Sequence, residues 1–127
     1  MPSTIVADMA ICDKTVKVTV SAREDGDFDV KIESDCSAIK HYAESLTRLT
    51  MDDIICFQES RINRDEVRGN MSLICLAPIA VYQAAWMEAG MLSKNNYAKN
   101  GPVTMDIPRG RPISPSPRPR PTAPAAL

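Results

Sequence analysis

Lys14-Thr15-Val16-Lys17-Val18-Thr19-Val20-Ser21-Ala22 and Phe28-Asp29-Val30-Lys31-Ile32-Glu33, separated by Arg23-Glu24-Asp25-Gly26-Asp27, decide the fold of this chain. In the first stretch valines alternate with Thr, Lys and Ser, the period of two expected of a half-buried strand. In the second, Phe28, Val30 and Ile32 alternate with Asp29, Lys31 and Glu33. The Asp25-Gly26 pair between them is a hairpin-turn signal. Two strands of this kind predict a β-hairpin with one apolar face in need of cover.

Helices C-terminal to the hairpin are expected to supply that cover. After Ser34-Asp35-Cys36 the apolar residues fall at Ile39, Tyr42, Ala43, Leu46 and Leu49, a helical spacing, with Ser37 or Asp35 as N-cap. Thr50 with Asp53 three residues on has the form of a capping box and opens a short helix through Ile54, Ile55 and Phe57. Asn63 with Glu66 repeats that signal, and Gly69 marks a stop. A later helix is predicted from Ala77, with Pro78 in its first turn and Gly90 beyond its end. Its core stripe is read as Ile79, Tyr82, Ala85, Trp86 and Ala89. Ser93 to Pro102 reads as polar loop, and Val103, Met105 and Ile107 as a last short strand. The fold class is therefore α+β: a small antiparallel sheet, begun by an N-terminal β-hairpin, with helices packed on one face. That domain is placed at residues 1–107. From Pro108 to Leu127 seven of twenty residues are proline, so no core can form and a disordered Pro/Arg-rich tail is expected.

Charge divides at the same place. No acidic residue follows Asp106, while Arg109, Arg111, Arg118 and Arg120 give the tail +4; a total of −1 then leaves the body at −5. A body of that sign lacks the basic face nucleic acid requires. No apolar run approaches the ~20 residues of a membrane span. The opening Met1-Pro2-Ser3-Thr4 lacks the basic-then-apolar order of a signal peptide. The expected compartment is the cytoplasm, where cysteines stay reduced.

Four thiols, Cys12, Cys36, Cys56 and Cys75, then act as core residues or as ligands. No Cys-x-x-Cys pair is present. Topology is more informative than spacing: Cys12 precedes the Lys14–Ala22 strand, Cys36 stands where the Phe28 strand hands over to a helix, and Cys75 precedes the Pro78 helix. The antiparallel pair brings Cys12 and Cys36 to one edge, and a helix packed back toward it would bring Cys75. Three thiolates plus a fourth ligand, Asp13 or His41, would suit zinc or an iron–sulfur cluster. Free cysteine also packs well as a small hydrophobe, and Cys56, between Ile55 and Phe57, is assigned to the core.

With Ile11-Cys12, Ile32-Glu33-Ser34-Asp35-Cys36 and Cys75-Leu76-Ala77-Pro78, residues from about Ala10 to Ile107 resemble a family of small uncharacterised proteins of methanogens and other anaerobes. More distantly, the layout is similar to iron–sulfur scaffold proteins of the NifU N-terminal type and relatives with a Thr-Ser-Cys-Pro-Asp motif. The resemblance implies a non-catalytic protein that handles a metal or iron–sulfur species for a protein partner, with Cys12, Cys36 and Cys75 as thiolate ligands. The chain departs from those families at two glycines. Asp13 follows the first cysteine and Ser37 the second, and Ile74 stands where a histidine or small polar residue precedes the third. The alternative is a protein–protein adaptor with structural cysteines, its tail docking through Pro112-Ile113-Ser114-Pro115 or Pro121-Thr122-Ala123-Pro124. A thiol enzyme using Cys75 is a distant third. Nothing in the sequence fixes the oligomeric state.

Overall fold

The expected hairpin is the middle of the sheet. The computed structural model describes residues 2–9 and 12–100. Strand β2 (Lys14–Ala22) buries Val16, Val18 and Val20 completely and turns Thr15 and Lys17 to solvent. β3 (Phe28–Ser34) pairs with it antiparallel, Ile32 opposite Val18 and Val30 opposite Val20. In the turn the Arg23 N–H donates to the Asp27 carbonyl at 2.8 Å, and Gly26 sits at φ 93, a backbone angle that glycine takes without strain.

Ahead of this pair lies a strand that the alternation of the sequence does not predict. β1 (Ser3–Met9) runs antiparallel along the other side of β2, with Ile5 opposite Val18 and Met9 opposite Lys14. The fourth strand, β4 (Arg48–Leu49), is two residues long and pairs with the start of β3. The order is β1-β2-β3-β4.

Five helices come after or between these strands among the described residues: α1 (Ser37–Ser45), α2 (Met51–Ile55), α3 (Asp65–Arg68), α4 (Ala77–Glu88) and α5 (Lys94–Asn100), with a 3-10 turn at Arg61–Asn63. α4 packs on β1 and β2, and α1 on β3. They cover the face that carries Ile5, Val16, Val18, Val20, Phe28 and Val30, while Thr4, Val6, Lys17, Lys31 and Glu33 on the other face are exposed.

Several boundaries differ from expectation for physical reasons. α1 is capped by the backbone of Cys36, with no side-chain cap from either predicted residue. It ends at Ser45, because Leu46 leaves the helical region (φ −121, ψ 85) and Leu49 is drawn into β4. The Thr50–Asp53 capping box is present in both directions, and Gly69 ends α3 at φ 60. Gly90, at φ 81, follows α4 as predicted. α5 occupies part of the predicted polar loop. The chain divides into two compact units, 1–92 and 93–127, and α5 belongs to the second. The predicted Val103–Ile107 strand and the Pro/Arg tail lie outside the described residues.

Asp53 ties the lower half of the first unit together. Its carboxylate accepts from the Thr50 N–H at 2.8 Å, the Arg61 N–H at 3.1 Å and the Arg61 guanidinium, whose Nη2 is 2.6 Å from Oδ2. Burial by itself would raise this carboxyl, but the hydrogen bonds and charge of Arg61 outweigh it, and its pKa lies below the ordinary value. Tyr42, fully buried, donates its hydroxyl to the Ile62 carbonyl at 2.8 Å, and burial pushes its pKa up.

Candidate functional site

The antiparallel register carries three cysteines to one end of the sheet. β1 ends at Met9 opposite Lys14, so Cys12 lies in the connection between them. β3 ends at Ser34, paired with Val16, so Cys36 leaves the sheet at that same end. There the Ser34 hydroxyl donates to the Thr15 carbonyl at 2.7 Å and accepts the Cys36 N–H at 3.1 Å. Cys75 arrives from the turn before α4, with its N–H donating to the Ser72 carbonyl.

Two of these thiols meet at Met9, a residue with no metal-ligand spacing to single it out in the sequence. The Cys12 thiol donates to the Met9 carbonyl at 3.5 Å, and the Cys75 thiol lies 3.9 Å from the Met9 thioether sulfur. Met9 itself is buried. Cys12 is exposed, whereas Cys36, Cys56 and Cys75 are half-buried. Cys56, assigned to the core from its apolar neighbours, instead caps the end of α2 at its margin.

Among the described residues no group of three or more His, Cys, Asp and Glu side chains is placed to hold a metal ion. Cys12 and Cys36 lie at one end of the sheet, with Asp13 beside Cys12 and the Cys75 thiol reaching Met9 there. Asp13 has a left-handed backbone, φ 57. Asp tolerates that region better than most side chains. His41 is exposed and lies over Gly69, where an added Cβ would come 3.0 Å from its ring.

A second feature stands out on α4. Its buried side is Ala77, Ala80, Val81, Ala84 and Ala85, small side chains that let the helix sit close on β1 and β2. The predicted core stripe is corrected here: Ile79 is 51% exposed and Trp86 39% exposed. Trp86 anchors its indole N–H on the Ile54 carbonyl at 2.7 Å and leaves the rest of the ring half open. Leu76, Ile79, Gln83 and Trp86, spaced three, four and three apart, form one outward stripe. In the turn ahead of it Leu73 is 91% and Ile74 73% exposed. From Gly69 through Met87 there is no charged residue, and that run is the sequence signal for an apolar surface.

A shallow recess of about 450 Å³ is lined by Ala22, Arg23, Glu24, Asp25 and Asp29. Arg23 there already pairs with Asp25 and Asp29, and Arg48 with Asp25 and Asp27, so the recess is the outer surface of a charged turn. No helix among the described residues is long and apolar enough to cross a membrane.

The family described as "Family of unknown function (DUF6951)" matches residues 3–100, and the chain belongs to it. No curated protein and no solved structure matches the chain.

Proposed function

We propose that this member of a family of unknown function is a cytoplasmic protein–protein interaction module that docks through the outer face of α4 and the turn before it. The observation that carries this reading is the uncharged stripe of exposed Leu76, Ile79 and Trp86 around half-buried Gln83, with exposed Leu73 and Ile74 beside it. A helix that is apolar on all sides belongs in the interior of something larger. Exposed apolar patches of several hundred Å² mark interaction sites on folded proteins. On this reading the cysteines position the end of the sheet and take no part in docking.

The test is a photo-crosslinking residue placed at Ile79 in the full chain, with Lys17 on the open face of the sheet as control. Adducts with a discrete protein from position 79 alone support docking on this face. Equal adducts from both positions, or none from 79, remove it.

A second reading is favoured by the sulfur contacts at Met9. The Cys75 thiol against the Met9 thioether, the Cys12 thiol on the Met9 carbonyl, and Cys36 leaving the sheet at the same end put soft donors in one region, suited to a thiophilic metal or a metal–sulfur species as cargo. Protein purified without oxygen would carry metal or sulfide that is lost in Cys12→Ser, Cys75→Ser and Met9→Leu and kept in Cys56→Ser. Metal-free protein that also refuses zinc and iron on reconstitution excludes this reading.

A further inference from the structure

The α4 face has properties that narrow its occupant. Leu73, Ile74, Leu76, Ile79 and Trp86 together leave on the order of 500 Å² open, taking roughly 150–250 Å² for a whole side chain of this kind. A standard interface buries about 800 Å² per partner, and its core is about 65% apolar. The exposed stripe is thus close to the apolar core one side of such an interface needs.

Charge narrows it further. The body carries −5 while the run Gly69–Met87 carries none. An anionic lipid surface would find no basic residue on this face. The full chain carries only −1, so two copies repel little, and a face without carboxylates lets them touch. Under a two-fold axis across α4, residues 79 and 86 exchange places about a centre next to Gln83. Ile79 of one copy then meets Trp86 of the other, and the two Gln83 amides face each other near the axis. An amide pair at that point can donate and accept reciprocally, as a register-setting polar pair does in a helical interface.

We propose that the partner of the α4 face is a second copy of this chain, docked antiparallel about a two-fold axis through Gln83. This rests on the docking reading above and names its partner. Isologous contact needs only one self-complementary patch.

Sedimentation velocity on the full chain tests it. The expected result is a concentration-dependent dimer that changes little as salt rises, because the contact face carries no charge and the full chain only −1. Gln83→Glu and Gln83→Lys should each weaken the dimer at least about tenfold by setting like charges together, and an equimolar mixture of the two should restore it. Circular dichroism on each variant confirms that it is folded. A wild-type chain that stays monomeric overturns the proposal, as do charge variants that dimerise normally or a mixture that fails to rescue. Crosslinks from position 79 to an unlike protein, with a monomeric purified chain, would also overturn the second copy while leaving the docking reading intact. No crosslink at 79 would remove both.

Discussion

Asp53 and Arg61 show how one pair can fix several segments at once. The carboxylate holds the start of α2, the backbone at Arg61 and the guanidinium, which in turn donates to the Arg48 carbonyl at 3.0 Å. Removing a partner from a fully buried ion pair costs about 3–5 kcal/mol, but the Arg61 side chain is 40% exposed. Asp53→Ala should therefore destabilise the first unit by about 2–3 kcal/mol in urea unfolding. Because the folded-state pKa of Asp53 is depressed, its contribution is complete above the unfolded value of about 3.9 and is lost as pH falls through the lower, folded value. The variant should lose less stability than the parent over that acidic window; equal losses would show that Asp53 is not the titrating group. The cysteines make a second prediction. Exposed Cys12 should react with a thiol reagent before half-buried Cys36, Cys56 and Cys75 in the native protein. Mass mapping of the first adduct checks the order. At Asp13 the left-handed backbone means that Asp13→Val should cost about 1–2 kcal/mol, while Asp13→Gly should be neutral or slightly stabilising in thermal unfolding.

The elements differ in how plainly the sequence announces them. β2 and β3 alternate so regularly that period and burial coincide along both strands. β1 does not: Ser3 is buried and Val6 exposed, the reverse of what their polarity suggests. The Ser3 hydroxyl finds its acceptor far along the chain, donating to Glu88 Oε1 at 2.8 Å, so no local pattern could reveal the strand. α4 fails in the opposite way. Its start, its Pro78 and its Gly90 were legible because caps are local chemistry, yet its phase was not. With apolar residues at nearly every position the period carries no direction, and only the small size of Ala77, Ala80, Ala84 and Ala85 marks the side that meets the sheet. A paired substitution separates the two faces. Ala84→Leu should overpack the contact with the sheet and cost about 1–3 kcal/mol, whereas Ile79→Ser should change monomer stability by less than about 0.5 kcal/mol. Urea midpoints at low protein concentration would show it, and equal costs would mean the faces are misassigned.

At the scale of the whole molecule, the fold class followed from the hairpin and the helical spacings, while for the cysteines the sequence pattern reached only as far as the end of the sheet they share. Topology placed Cys12, Cys36 and Cys75 at one end of the sheet, but side-chain direction decides whether sulfurs meet, and strand order says nothing of that. The residue that two of them do touch, Met9, sits on the strand the pattern concealed. The docking face was legible only as an absence of charge between Gly69 and Met87, because exposure depends on which half of an apolar helix the sheet claims.

Glu88 closes the sheet by accepting from Ser3 at the start of β1 and from the Ala22 N–H at the end of β2. That closure comes late in the life of the chain. A ribosome adds roughly 5–20 residues per second, so the fifty-odd residues between Ser34 and Glu88 take about 3–10 s to emerge behind the finished hairpin. For that interval the valine face of β2 is made and its cover is not, and β1 has no second anchor. The newborn chain is exposed to wrong partners for as long as α4 is still being written.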